Sequence, residues 1–361
     1  MTSLGNQIAS DRSNNLNAIR LMLALAVVLS HAFPLTLGWG GETKGEPLAA
    51  LTHQQESFGY VAVNLFFLIS GFLITASWLR SKSMQDYLMK RILRIYPGFI
   101  VAVGFSAALV WICCPEFRAG VGHGISWGLV MIKDWVFLTN SSIWRPGIFA
   151  QNPLPVAANG SLWTIPIEFT CYLLVALIGL LCLFKHRILI LIATLLVFLS
   201  YAKSIIQGDD LGHLDSRFLT YFMVGMTYWL WRNKIPFSKW IAFVGVAMLL
   251  MASQFKPWFS LIFPAVGGYC ILWLGYGPNI KYLDWTVKTD LSYGTYLYAF
   301  PVQQVVAMNE ALRYPWINFL IATPVTLLLA WLSWHMVEKR FLAMKSIALK
   351  DLDPGIEMRS A

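Results

Sequence analysis

Apolar residues run through this chain in long blocks rather than at amphipathic intervals. Ten blocks read as membrane spans, at roughly 17–38, 60–79, 94–114, 161–184, 187–203, 215–231, 239–254, 257–276, 291–308 and 316–337. A helix crosses the hydrocarbon core with about 20 mainly apolar residues, and the shorter blocks reach that with tilt or aromatic flanks. Residues 125–139 are apolar too, but the run is short and carries Lys133 and Asp134. It predicts an interfacial or re-entrant helix inside a long loop, 115–160. If it crosses instead, the count becomes eleven and later loops change sides. The first span follows a polar leader, 1–16, is too long for a signal-peptide core, and is expected to be retained. Residues 341–361 read as a short polar tail. With no internal repeat and no low-complexity segment, the expectation is one all-α, polytopic helical bundle filling the chain.

Composition narrows the class further. The chain is 57% hydrophobic and 12% charged, whereas soluble domains carry about 25% charged residues. A soluble globule of 361 residues could not coat itself with so few charges. That excludes a soluble enzyme, a disordered chain and a collagen-like fibre. The 16 Trp, 14 Tyr and 23 Phe suit a protein with two membrane interfaces.

The net charge of +9 lies between the apolar blocks, with no continuous basic face to follow a phosphate backbone. It therefore predicts orientation, not nucleic-acid binding. With the N-terminus in the cytoplasm, more than two-thirds of the 27 Lys and Arg fall in inner loops, although the outer loops are longer. Both termini are expected to be cytoplasmic. The 5 Cys show no C-x-x-C spacing and no nearby His pattern. They read as buried thiols, and no metal site is expected.

Ionisable residues inside a span are costly and mark candidate sites. Arg20 and His31 lie eleven residues apart in the first span. Eleven steps of about 100° return to within about 20° of the start, and about 16 Å further along the axis. The two side chains therefore share a helix face, Arg20 at the inner entrance and His31 toward the outer half. Locally, Arg20 also fits a snorkelling anchor and His31 a packing histidine.

Arg91 and Arg94 open the third span as i, i+3 neighbours, and guanidinium forks suit phosphate oxygens. Taken alone, a topology signal or contact with anionic membrane lipid explains them better. Ser161 to Glu168 opens the fourth span, with Trp163 between, and brings a carboxylate to a depth near that of His31. Glu168 could orient the imidazole, act as a base, or simply bond a neighbouring helix. Asn64, Ser70 and Gly71 in the second span suit close packing and hydrogen bonding. Glu338 with Lys339 reads as a structural ion pair or anchor, and His335 as structural. No phosphate loop, H-E-x-x-H, G-x-S-x-G or dinucleotide fingerprint is present.

Taken in order, these segments resemble the membrane acyltransferase family 3, the polytopic O-acyltransferases of bacterial surface and exported glycans. Arg20 and His31 match its R-x10-H signature. Phe66 to Ile74 is similar to its F-F-x-[IL]-S-G-F-L-I stretch, Lys90 to Pro97 to its R-x-x-R-I-x-P segment, and Ser161 to Glu168 to S-L-W-[ST]-L-x-x-E. Ser292, Tyr293, Tyr296 and Pro301 resemble its S-Y-x-x-Y-L-x-x-x-P run, and Val337 to Lys339 its closing V-E-[KR]. Three positions depart: Asn17 where the family often has Asp, Ala62 where it often has Gly, and Ala299 where it often has His.

The resemblance implies a membrane acyltransferase domain over 17–340, in a bacterial inner membrane. The donor would be cytoplasmic acyl-CoA, most simply acetyl-CoA, with no permanently bound cofactor. The acceptor would be a hydroxyl of a polysaccharide, lipopolysaccharide or lipid-linked sugar, with glycan biosynthesis machinery as a partner. Arg20, Arg91 and Arg94 would hold the CoA phosphates, His31 would act as general base, and Glu168 would orient it or position the sugar. Asn64, Ser70, Trp163 and Tyr293 would support the site. The competing readings are a transporter or flippase using the same polar path without covalent chemistry, and a receptor or scaffold that has lost activity.

Overall fold

A computed structural model describes residues 2–10, 14–41, 45–120, 125–208, 214–277, 280, 282 and 284–344. The described residues are helical apart from turns and two isolated bridges, Ser3 with Pro236 and Trp144 with Ala157. In chain order the helices are α1 (Leu4–Ser10), α2 (Leu16–Leu37), α3 (Pro47–Leu51), α4 (Phe58–Arg80), α5 (Met84–Cys113), α6 (Pro115–Gly120), α7 (Ile125–Phe137) and α8 (Thr164–Leu180). Then follow α9 (Arg187–Ile206), α10 (Leu214–Trp231), α11 (Lys239–Ala252), α12 (Trp258–Tyr276), α13 (Trp285–Lys288), α14 (Ser292–Ala307) and α15 (Pro315–Ser333). A π turn, Trp334–Glu338, continues α15. Serine side chains start several helices by accepting from backbone N–H groups, Ser57 at α4, Ser83 at α5 and Ser238 at α11.

Six helical segments are long and apolar enough to cross a membrane: Leu16–Leu37, Phe58–Arg80, Met84–Cys113, Arg187–Ile206, Trp258–Tyr276 and Pro315–Met344. The other four expected spans fall on α8, α10, α11 and α14, which are shorter or more polar. The reason is clearest in α14. Almost all of it is buried, and its polar side chains bond to other helices and loops rather than facing lipid. Gln303 donates to the Val28 carbonyl at 2.8 Å, and Gln304 to the Leu154 and Ala157 carbonyls at 2.9 and 2.7 Å. A helix enclosed by protein needs little hydropathy.

Several boundaries move from those the sequence suggested. α5 begins at Met84, not near residue 94, because the Ser83 cap starts a helix ahead of the apolar block. α8 begins at Thr164, so Ser161 and Trp163 lie in the turn ahead of it. The leader is not a free polar arm. The Leu4 and Gly5 N–H groups donate to the Ile235 and Arg232 carbonyls, docking α1 on the turn after α10. Residues 345–361 of the expected tail lie outside the described residues. Cys182, expected to be buried, is exposed just after α8.

Within loop 115–160, α7 has 13 residues, fewer than the roughly 20 that cross a bilayer. Trp127 near its start stacks on Trp111 at 6.1 Å, and the Val136 carbonyl near its end accepts from Tyr96 at 3.1 Å. The helix thus runs down the side of α5, from the Trp111 end toward the Tyr96 end. The chain then turns back around Asp134, whose carboxylate accepts from Ser141, Ser142 and Thr139.

The tightest packing joins α4 to α10. A Cβ added at Gly71 would lie 1.9 Å from the Phe222 carbonyl oxygen, and one at Gly225 would lie 2.0 Å from that of Leu68. Backbone rests on backbone there, as small residues permit in membrane bundles. Gly71→Ala or Gly225→Ala should therefore force the helices apart. The expected loss is about 1–3 kcal/mol, the usual cost of overpacking, read as a lower Tm in detergent. Gly104→Ala in α5, where nothing lies within 4 Å, should leave Tm unchanged or raise it.

Candidate active site

Two polar regions lie along the same set of helices. The first gathers α2, α5, α14 and the end of α15 around one carboxylate, Asp290, just ahead of α14. Its Oδ2 accepts from Arg20 at 3.0 Å and from Arg94 at 2.6 Å. Its Oδ1 accepts from the Ser292 N–H at 3.1 Å and the Ser292 hydroxyl at 2.6 Å. Burial pushes the Asp290 carboxyl up, but Arg20 and Arg94, with the Ser292 bonds, outweigh it and hold the group well below the usual carboxylate range.

Arg94 also lies 3.7 Å from Glu338 and 5.5 Å from the Tyr293 ring centroid. Glu338 accepts from Ser333 at 3.0 Å. The sequence suggested that Glu338 pairs with Lys339. The π turn changes the register of the last helical turn and carries Glu338 inward to Arg94 instead.

Arg91 points elsewhere. Its guanidinium sits 5.8 Å from the ring centroids of both Tyr87 and Tyr172, and reaches Ser77 at 3.4 Å. Its buried Nε has no partner among the described residues. The i, i+3 arginines therefore diverge, Arg94 to carboxylates and Arg91 to tyrosine rings. Tyr172 donates a short hydrogen bond to Glu168, which also accepts from Ser70 at 3.2 Å. Glu168, Ser70, Tyr172 and Arg91 form one connected set.

A cavity of about 50 Å³ opens on Arg20, Glu168, Ser292 and Tyr293. A second cavity, of about 150 Å³, opens on His31, Ser57, Tyr60 and Trp163. Val63, Thr164 and Tyr296 line both. Arg20 and His31, on one face of α2, thus open on adjoining chambers. The His31 ring packs edge-on to Phe300, with centroids 5.3 Å apart at 77°. Its buried Nδ1 has no hydrogen-bond partner among the described residues.

Glu168 does not reach His31. Its carboxylate lines the Arg20 chamber and is bonded to Ser70 and Tyr172. The two were expected to meet on the basis of similar depth, but α8 starts at Thr164, only one turn before Glu168, and points that side chain to the Arg20 side. Phe300, rather than a carboxylate, packs against the imidazole.

Asn64 supports a different group. It accepts from Arg217 Nε at 3.1 Å, and Arg217 forms a short ion pair with Glu56. Arg217 also lies 4.5 Å from the Tyr60 ring centroid, on the wall of the His31 chamber.

Sequence reasoning passed over Asp290, Thr164, and the Glu56–Arg217 pair, and gave Tyr296 no role. A signal existed for Asp290. Two arginines in apolar surroundings require a counter-charge, and Asp290 stands two residues ahead of the Ser292–Tyr293 run.

The fold and site define an all-helical protein with several membrane-crossing helices and a polar interior divided into two chambers. The chain belongs to the acyltransferase family: the family described as "Acyltransferase domain" matches residues 13–335, and the protein is a multi-pass membrane acyltransferase. It is 29% identical to an O-acetyl transferase of Shigella phage Sf6, over 93% of this chain and 98% of that protein. It is 25% identical to nodulation protein 10 of Rhizobium leguminosarum bv. viciae, over 94% of this chain and 96% of that one. No solved structure matches the chain.

Replacing Asp290 by Asn should leave Arg20 and Arg94 without their shared counter-charge. Breaking a buried pair from one side costs about 3–5 kcal/mol, so Tm in detergent should fall markedly. The sign with pH follows from the depressed carboxyl. Its stabilising effect is complete above the unfolded value of about 3.9 and is lost as pH falls through the lower folded value. The Tm difference between variant and wild type should stay constant from neutral pH to about pH 5 and shrink only in stronger acid.

Proposed function

We propose that this protein is an integral-membrane O-acetyltransferase that moves an acetyl group from cytoplasmic acetyl-CoA to a hydroxyl of a polysaccharide or lipid-linked sugar. The observation that carries the reading is the pair of adjoining chambers on one face of α2, Arg20 in one and the unpartnered imidazole of His31 in the other. The similarity to a phage O-acetyl transferase supports O-acetyl transfer.

In this reading ten helices span a bacterial inner membrane, both termini are cytoplasmic, and α7 is re-entrant from outside. Acetyl-CoA enters at the arginine end. Arg20 and Arg94 are already balanced in part by Asp290 and Glu338, whereas Arg91 has no carboxylate within ion-pair distance among the described residues. An incoming phosphate therefore finds its strongest unmet charge at Arg91, with Arg20 and Arg94 forming the flanking field. The pantetheine arm brings the thioester to the boundary between the chambers.

The acceptor hydroxyl occupies the other chamber. A neutral imidazole takes its proton as the oxygen attacks the thioester carbonyl. The carbon–oxygen bond forms, the carbon–sulfur bond breaks, and the proton passes from His31 to the departing thiolate, giving free CoA and the ester. Glu168 serves the donor side by holding Tyr172 against Arg91, and Ser70 and Tyr293 hold the same wall. Trp163 and Tyr60 offer aromatic faces to the sugar. Membrane lipid and a glycan-assembly partner complete the setting.

The test uses membranes holding wild type or His31→Ala, acetyl-labelled acetyl-CoA and total cell glycolipid. Label should enter an alkali-labile glycan ester with wild type and fall by at least about 100-fold in the variant, the usual contribution of a general base. A folded His31→Ala protein with wild-type labelling would remove His31 from the chemistry. Movement of a solute without covalent change would favour a transporter.

A further inference from the structure

We propose that Val63, Thr164 and Tyr296 form a partition between the donor and acceptor chambers, and that the Tyr296 ring sets the length of acyl group the enzyme transfers. The proposal rests on the acyl-transfer reading above. It starts from a geometric fact: these three residues, on α4, α8 and α14, line the Arg20 cavity and the His31 cavity alike. An acyl group handed from one chamber to the other has to pass them.

The partition is held in place. Tyr296 is buried, packs on Phe66 with ring centroids 6.3 Å apart, and fixes its hydroxyl at two points of the turn that starts α8. It donates to the Ser161 carbonyl at 2.8 Å and meets the Thr164 hydroxyl at 2.7 Å. A tyrosine has one hydroxyl proton. With that proton on Ser161, Thr164 is the donor of the second bond. The phenol therefore has no proton to offer the reaction, and its contribution is shape.

α14 carries this wall in register with both ends of the site. Tyr293, Tyr296 and Phe300 recur at helical spacing and share one face. Tyr293 lies under Arg94, Tyr296 stands between the chambers, and Phe300 packs on His31. The donor chamber is small, about 50 Å³, so little room exists for a long tail while the thioester carbonyl waits at the partition. Removing the Tyr296 ring would join the two chambers. Trimming Val63 would widen the passage from the α4 side.

The experiment compares acetyl-CoA and hexanoyl-CoA as labelled donors for wild type, Tyr296→Ala, Val63→Ala and Tyr296→Phe in the same membranes, with folding checked by size-exclusion chromatography. The hexanoyl-to-acetyl ratio should rise by about tenfold or more in both alanine variants, the scale on which apolar pockets discriminate methylenes. It should stay at the wild-type value in Tyr296→Phe, which keeps the ring. Unchanged ratios in folded alanine variants, with wild type active, would overturn the partition and leave the acyl-transfer reading standing. An equal rise in Tyr296→Phe would also overturn it, because bonding rather than size would then set the limit. Should Tyr296→Ala not be recovered folded, Val63→Ala decides the matter. Wild-type membranes that transfer neither group would sink the acyl-transfer reading and the partition with it.

Discussion

The carboxylate of Asp290, shared between Arg20 and Arg94, is the contact on which the rest of the structure depends. Two helices and the segment leading into a third, far apart in sequence, meet at one oxygen atom. In water such a pair contributes little, but in apolar surroundings an unpaired charge is costly enough to dictate which helices sit together. Ser292 fixes the other oxygen, so the carboxylate cannot swing away. Glu338 extends the network to the end of α15 through Arg94. The same contact fixes Arg20 at one end of α2, and thereby the depth at which His31 stands at the other.

α14 turns that anchor into a site. It begins two residues after Asp290, and its polar face is buried on every side. Successive turns of it touch Arg94, form the wall between the chambers, and back the His31 ring. Its far end is locked by Gln303 and Gln304 to α2, α15 and the returning loop. Gly160, at the end of that loop, leaves room for Phe300: a Cβ there would lie 2.6 Å from the Phe300 ring. The loop, the glycine and the helix thus fix the imidazole by packing alone.

Much of this was legible in the sequence, and the limits have physical causes. The helical class followed from the apolar blocks. The shared face of Arg20 and His31 followed from eleven residues of helical geometry, and it agrees with their opening on adjoining chambers. What failed was any step that required knowing a neighbour. The Glu168–His31 pairing was inferred from depth, but depth does not give the direction a side chain points. Glu338 was read with its neighbour Lys339 as a structural ion pair or anchor, and its partner is Arg94, reached through a π turn that is invisible to helical counting. The Glu56–Arg217 pair was passed over, because nothing in the sequence shows that Glu56 meets α10. Asp290 could have been found by asking what balances two arginines inside the bundle.

Among the described residues no carboxylate bonds to His31, and this fits the way the site divides its electrostatics. In a Ser-His-Asp triad a buried carboxylate orients the histidine and stabilises the imidazolium. Here the buried carboxylates of the arginine end are committed to Arg20, Arg94 and, through Tyr172, the surroundings of Arg91. The imidazole is instead packed edge-on to Phe300, in a chamber lined by Ser30, Ser57, Tyr60 and Trp163. The three side chains that line both chambers, Val63, Thr164 and Tyr296, carry no charge.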